Sequence, residues 1–118
     1  MSFRQPGEAD NPLSSEEDRR HQEGMASMRA AVAGGKTFAE AAAALSGLAV
    51  GMQALIADDF LKIFIAEEHF GQGRTLGEVA LALALSYEKV AAAREAMLEE
   101  VGREMARQYR QEIDRQAH

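Results

Sequence analysis

The chain has 118 residues and no cysteine, and 19 Asp and Glu residues against 13 Lys and Arg residues give it a formal net charge of −6. This length predicts one domain, and the lack of cysteine excludes disulfides, zinc–thiolate sites, iron–sulfur clusters and a cysteine nucleophile. An acidic balance is the opposite of the footprint expected for general binding to a phosphate backbone. Hydrophobic residues make up 47% of the chain but aromatic residues only 6%, a composition that favours helices over strands.

The first thirteen residues contain both prolines of the chain, Pro6 and Pro12, and few side chains that a core could bury. We predict that residues 1–13 form a disordered acidic leader and that residues 14–118 form a single helical domain. The leader lacks the apolar run of a secretory signal. The uncharged stretch 41–57 is too short and too polar for a confident membrane span, so we expect a cytoplasmic protein without a membrane partner.

Two segments of the chain are similar, residues 35–45, which read GKTFAEAAAAL, and residues 73–83, which read GRTLGEVALAL. They are offset by 38 residues and share Gly, Thr, Glu, two Ala and Leu at equivalent positions. Such self-similarity is typical of a duplicated structural unit, although two helix starts that use the same chemistry would also look alike. We predict an approximate internal repeat with units over residues 35–70 and 73–116.

Three segments have the capping-box pattern, in which a Ser or Thr is followed three residues later by a Glu. In this pattern both side chains bond to backbone N–H groups that have no partner in the first helical turn. The boxes pair Ser14 with Glu17, Thr37 with Glu40, and Thr75 with Glu78. The helices that they predict cover residues 15–33, 38–46 and 76–84. Glycines before the second and third boxes, at Gly34 and Gly35 and at Gly71 or Gly73, are expected to end the preceding helices in the left-handed conformation.

Each short helix is followed by a longer amphipathic segment, over residues 50–70 and 87–116. No alternating run bounded by turn residues indicates a strand, so we predict an all-α fold of about five helices with a long C-terminal helix. Apolar residues form a seam along this last helix, and beyond residue 96 the seam is longer than a core of this size can cover. The seam is predicted to bind a second copy in a homodimer, or another protein, through Met97, Leu98, Val101, Met105, Tyr109 and Ile113.

Residues 75–94, TLGEVALALALSYEKVAAAR, resemble the helix-turn-helix segment of bacterial DNA-binding regulators and sigma-type factors. The features that carry the resemblance are apolar residues on both helices, a small residue where the helices touch, and the residues that leave the turn. These residues are Leu76, Val79, Ala80, Leu83, Leu85, Ser86 and Val90. The segment departs from the family at Ala84, where glycine usually allows the unusual backbone of the turn. The resemblance implies an angled pair of helices, the second of which reads DNA in such regulators.

DNA binding requires base-reading and phosphate-binding side chains on that second helix. The candidate contacts are Tyr87, Lys89 and Arg94, followed by a basic strip at Arg103, Arg107 and Arg110. Acidic residues lie close to all of these candidates and would oppose phosphate: Glu88, Glu95, Glu99, Glu100 and Glu104. For the basic strip the pattern therefore favours a solvated helix face with intrahelical ion pairs. For residues 75–94 it favours a purely structural helix-turn-helix, and a nucleic-acid interface is the alternative.

Three patterns resemble enzyme sites but lack essential parts. The GGKT motif at residues 34–37 has Ala30 where a phosphate loop needs its first glycine. The Glu-Glu-His run at residues 67–69 cannot face one metal ion, because adjacent helical residues point about 100° apart. His69 and Asp59 could form an acid–base pair, but nothing indicates a nucleophile or an oxyanion hole. We therefore predict no catalytic residue, no metal ligand, no cofactor and no enzymatic activity.

These observations favour a small cytoplasmic regulatory or adaptor module that acts through protein–protein contact and self-associates. The alternative is a transcription regulator that binds DNA through the helix-turn-helix-like segment. Binding to DNA at low salt discriminates between the two, because contacts to phosphate weaken steeply as salt is added.

Overall fold

Five helices follow one another along residues 14–116, the part of the chain that the computed structural model describes. Helices make up 83% of this part, and it contains no strand, which confirms the predicted all-α fold. The helices are α1 (Ser15–Ala33), α2 (Phe38–Ala43), α3 (Val50–Ile65, continued as a π-helix over Ala66–Gly71), α4 (Leu76–Leu83) and α5 (Tyr87–Gln116). The predicted leader over residues 1–13 lies outside the described residues. Within residues 14–116, no helix has both the length and the apolar character needed to cross a bilayer.

All three capping boxes form. The backbone N–H groups of Glu17, Glu40 and Glu78 each donate to the hydroxyl of the capping Ser or Thr at 3.1 Å. In return, the N–H groups of the three capping residues donate to the Glu carboxylates at 2.9 to 3.2 Å. Gly35 and Gly73 both have the predicted positive φ, at 95° and 74°. The two similar sequence segments therefore begin with the same local structure.

The capping boxes make the stability of the chain depend on pH. The backbone hydrogen bonds from Thr37 and Thr75 lower the pKa of Glu40 and Glu78 below the ordinary value of 4.5. A carboxyl with a lowered pKa stabilises the fold above its unfolded-state pKa, and this contribution is lost as the pH falls through the folded-state pKa. We expect the double variant Glu40→Gln/Glu78→Gln to lose less thermal stability than the unmodified chain between about pH 6 and pH 3. Equal losses of thermal stability in the variant and the unmodified chain would contradict the stabilising role of the Glu40 and Glu78 carboxylates.

Two helix ends differ from the sequence prediction. Helix α2 ends at Ala43 rather than at residue 46, and residues 44–47 form turns in which Leu45 N–H donates to the carbonyl of Ala42 at 3.0 Å. Ser and Gly at positions 46 and 47 are weak helix formers, which accounts for the early end. Helix α3 widens into π geometry after Ile65, so that Arg74 N–H reaches the carbonyl of Glu68 at 2.9 Å. Apolar periodicity does not distinguish α from π geometry over one or two turns.

The chain divides into two compact units, and the boundary along the sequence falls between Phe60 and Leu61 within α3. In the first unit, the rings of Phe38 and Phe60 lie 6.4 Å apart, and Ile56 is fully buried. A Cβ atom on Gly24 would lie 2.5 Å from Cδ1 of Ile56, so the Ile56 side chain would have to shift to admit a larger residue there. The single helical domain over residues 14–118 stays a prediction.

The second unit is built around the packing of α4 against α5. Its buried side chains come from the end of α3, from one face of α4 and from the start of α5: Leu61, Ile65, Val79, Ala80, Leu83 and Val90. Four of these six buried side chains belong to residues 75–94: Val79, Ala80, Leu83 and Val90.

Ala84 makes the turn between α4 and α5 in the left-handed conformation, with φ 57° and ψ 42°. Its N–H donates to the carbonyl of Leu81 at 3.2 Å, and the N–H of Leu85 donates to the carbonyl of Ala80 at 2.9 Å. These two bonds form a Schellman motif, the usual helix ending at a left-handed glycine. The turn is formed although the residue is alanine, and the Cβ atom makes its backbone conformation strained.

We expect Ala84→Gly to raise the free energy of unfolding by about 0.5–1 kcal/mol, since relief of the left-handed strain exceeds the entropy that glycine gains in the unfolded chain. The matched control is Ala82→Gly, at an exposed position inside the same helix, which should lower stability by about 1 kcal/mol. Urea unfolding of both variants measures these changes. Destabilisation by Ala84→Gly would contradict the backbone conformation of this turn.

Candidate interaction surface

Helix α5 has two parts that differ in burial. Residues 87–97 pack within the second unit, with Val90 fully buried and Ala91, Ala93, Arg94, Ala96 and Met97 half-buried. Residues 98–116 are all exposed, and at 1.5 Å per residue they form about 28 Å of helix. The ion pair between Lys62 on α3 and Glu100, 2.8 Å long, lies near the start of the exposed part. The described ion pairs beyond it are all within α5 itself.

A row of large apolar side chains runs along this exposed part. Met105 and Tyr109 are 64% and 69% exposed, and the other members of the row also face solvent. Their spacing of three or four residues places them on one side of the helix. We call this row the α5 stripe, and its members are Leu98, Val101, Met105, Tyr109 and Ile113. The predicted seam residue Met97 is half-buried, so it lies at the margin of the packed part rather than on the stripe.

The charges beside the α5 stripe are mixed. Residues 97–116 contain five acidic and four basic side chains. Three of the arginines form ion pairs along the helix: Arg103 with Glu99 at 3.9 Å, Arg107 with Glu104 at 2.8 Å, and Arg115 with Glu112 at 3.5 Å. Each of these exposed pairs stabilises the helix by only about 0.2–0.5 kcal/mol. Two of the three arginines in the predicted basic strip are thus already paired with carboxylates.

The start of α5 contains the other predicted nucleic-acid contacts. Ser86 caps the helix, because its hydroxyl accepts from the N–H of Lys89 at 3.1 Å. Tyr87 and Lys89 are exposed in the first turn, and Glu88 is exposed between them. The first turn therefore presents one acidic and one basic side chain beside an aromatic ring.

Arg94 binds the π-helical end of α3 rather than projecting into solvent. Its Nε–H donates to Nε2 of His69 at 3.2 Å, and its guanidinium lies 5.6 Å from the ring centre of Phe70. Nη1 is 3.6 Å from the carboxylate of Glu95. Arginine has no acceptor, so Nε2 of His69 carries the lone pair, and the Nδ1–H donates to the carbonyl of Arg74 at 2.7 Å. Arg94 thus holds α5 to the corner that precedes α4.

His69 and Asp59, considered above as an acid–base pair, have other partners. Both nitrogens of His69 are bonded as just described, and Oδ2 of Asp59 lies 2.7 Å from Nε2 of His21. A cleft of about 360 Å³ in the first unit is lined by Glu17, Arg20, Leu48, Ala49, Gly51, Met52 and Leu55, and it contains no histidine. Across residues 14–116, no group of three or more His, Asp or Glu side chains is placed to hold a metal ion.

Sequence reasoning missed the pairs His21–Asp59, Lys62–Glu100 and His69–Arg94. The partners are 38, 38 and 25 residues apart and lie on different helices. Helical periodicity relates residues three or four apart, so it gives no signal for such pairs.

Neither a protein-family model, nor a curated protein, nor a solved structure matches this chain.

Proposed function

We propose that this chain is a small cytoplasmic regulatory or adaptor module that acts through protein–protein contact and associates with a second copy of itself through the α5 stripe. The observation that carries this proposal is the continuous exposure of residues 98–116 together with five large apolar side chains on one side of them. Scattered apolar residues on a surface need no explanation, but a contiguous row marks an interaction surface.

The stability of the exposed part of α5 supports a partner. Most helical stability in proteins comes from packing of an apolar face rather than from helix propensity. Residues 98–116 have intrahelical ion pairs but no buried side chain. Covering the stripe would contribute about 25 cal/mol for each Å² of apolar surface removed from water. A partner would therefore stabilise the helix as well as bind to it.

The charges favour a second copy as that partner. Five acidic and four basic side chains over residues 97–116 leave this part of the helix almost neutral. A strongly charged partner gains little from such a surface, whereas two copies are not repelled and can match acidic with basic side chains. Self-complementary surfaces of this kind suit the symmetric dimers that are common among soluble proteins.

Sedimentation equilibrium of the full chain over a wide concentration range tests the proposal. We expect the mass to rise from that of one chain to that of two, and the dimer to persist at about 1 M salt, because salt screens exposed charges but does not weaken apolar burial. A monomer at every concentration would overturn the proposal. Loss of the dimer at high salt would assign the contact to charges rather than to the stripe.

The second candidate function is DNA binding through α4, the turn and the start of α5. It is favoured by the left-handed turn at Ala84 and by the exposure of Tyr87 and Lys89 in the first turn of α5, where helix-turn-helix proteins contact base edges. Against it, Arg94, Arg103 and Arg107 are engaged within the chain. Absence of binding to mixed DNA at about 50 mM salt would exclude this candidate, and binding that weakens steeply with added salt would support it.

A further inference from the structure

Gly102 is the one glycine of α5, and it lies on the apolar side of the helix between Leu98 and Met105. A Cβ atom added there would meet nothing within 4 Å, so no contact within the chain requires a glycine at this position. Glycine is unfavourable in a helix interior, and alanine would stabilise the helix at this position. Gly102 therefore leaves an open space on the exposed side of α5, beside the α5 stripe, that a side chain of another helix can occupy.

Two pairs of residues on this side of α5 have a spacing of eleven. Leu98 and Tyr109 are eleven residues apart, as are Gly102 and Ile113. Residues eleven apart differ by only about 20° around an α-helix, so the members of each pair lie on the same side of α5. Where two copies of α5 pack along this side, the sizes of the facing side chains decide the relative direction of the two helices.

From these sizes we infer that two copies of α5 pack antiparallel, around a two-fold axis near Met105 and Ala106, with the ring of Tyr109 of each copy over Gly102 of the other. This inference rests on the proposed self-association. The same register places Leu98 of one copy opposite Ile113 of the other. In a parallel pair in register, Gly102 would face Gly102 and Tyr109 would face Tyr109, which leaves a gap at one level and crowds the other.

The charges fit the same arrangement. Glu99 and Arg110 lie on the same edge of the stripe, because eleven residues separate them. In an antiparallel pair, matching edges of the two helices face each other, so Glu99 of each copy comes within reach of Arg110 of the other. Arg110 is exposed, and it is the one arginine between residues 103 and 115 for which the described structure gives no ion pair.

Spin-label distances test the direction, and the lack of native cysteine lets single cysteines be labelled without background. In the antiparallel pair, labels on Arg115→Cys in both copies should be about 28 Å apart along the axis. Mixing chains labelled at Arg115→Cys with chains labelled at Glu95→Cys should give a short distance between the two sites. In a parallel pair, the two Arg115→Cys labels would be close together, and the Arg115→Cys and Glu95→Cys labels would be far apart. These distances would overturn the inference while leaving self-association intact.

Gly102→Ala tests the close approach. Alanine favours the helix, so the variant should have equal or greater helicity as a monomer, yet it should dimerise at least tenfold more weakly because the methyl group occupies the space for the Tyr109 ring. Gln111→Ala, on the other side of the helix, should leave the dimer unchanged. Unchanged or tighter dimerisation of Gly102→Ala would overturn the contact at Gly102. A monomeric unmodified chain would instead overturn the proposed function on which the inference rests.

Discussion

Leu83→Ala should lower the free energy of unfolding of the second unit by about 2–5 kcal/mol. Leu83 is 0% exposed and lies on the last turn of α4, among the side chains that hold α4 against α5. Truncation removes buried apolar surface and leaves a cavity, and both effects destabilise. Small domains have total stabilities of about 5–15 kcal/mol, so this one substitution would remove a large fraction of the stability of the unit.

The chain offers a matched control for this substitution two residues away. Leu81 lies on the same helix and is 83% exposed, so Leu81→Ala should change stability by no more than about 0.5 kcal/mol. The two tyrosines of the chain, Tyr87 and Tyr109, both lie in the second unit, and the chain has no tryptophan. Tyrosine fluorescence during urea unfolding therefore reports on this unit alone. Similar effects of the two substitutions would contradict the packing of α4.

The double variant Met105→Glu/Tyr109→Glu should weaken self-association at least about 100-fold, which corresponds to about 2.8 kcal/mol. Both residues lie at the centre of the α5 stripe, and a dimer formed there would have to bury two carboxylates from each copy. The fold of the monomer should be unaffected, since neither side chain packs within the described structure. Sedimentation equilibrium measures the change in dissociation constant, and circular dichroism measures the helicity.

Gln111→Glu is the control for the double variant. Gln111 lies on the same helix but on the side away from the α5 stripe, so one added carboxylate there should leave the dissociation constant within about twofold. Equal dissociation constants for the double variant and the unmodified chain would place the dimer contact elsewhere. Equal weakening by Gln111→Glu would assign the effect to net charge rather than to apolar burial.

The starts of α1, α2 and α4 were predicted from sequence, because side chains within a few residues decide them. Ser14, Thr37 and Thr75 cap helices because each has a Glu three residues later. The glycines at 35 and 73 end helices because they tolerate positive φ. The α5 stripe was predicted for the same reason, since a periodic row of apolar residues depends on the sequence of one helix alone. Its exposure is consistent with the expectation that the core does not cover it.

Contacts between helices could not be predicted in this way. The sequence marks Arg94 as a cation on an outward face, but the structure places its guanidinium against His69 and Phe70. That contact depends on the π-helical turn over Ala66–Gly71, which has no signature in apolar periodicity. The left-handed conformation of Ala84 is a second example, because local preference opposes it and the packing of α4 against α5 maintains it.

The central claim is that a second copy of the chain covers the α5 stripe, and amide hydrogen exchange tests it most directly. In a monomer, the amides of residues 101–116 belong to an unpacked helix and should exchange rapidly. We expect these amides to become protected as the protein concentration rises through the dissociation constant, while the amides of α4 keep the same protection throughout. Rapid exchange over residues 101–116 at every concentration would contradict the claim.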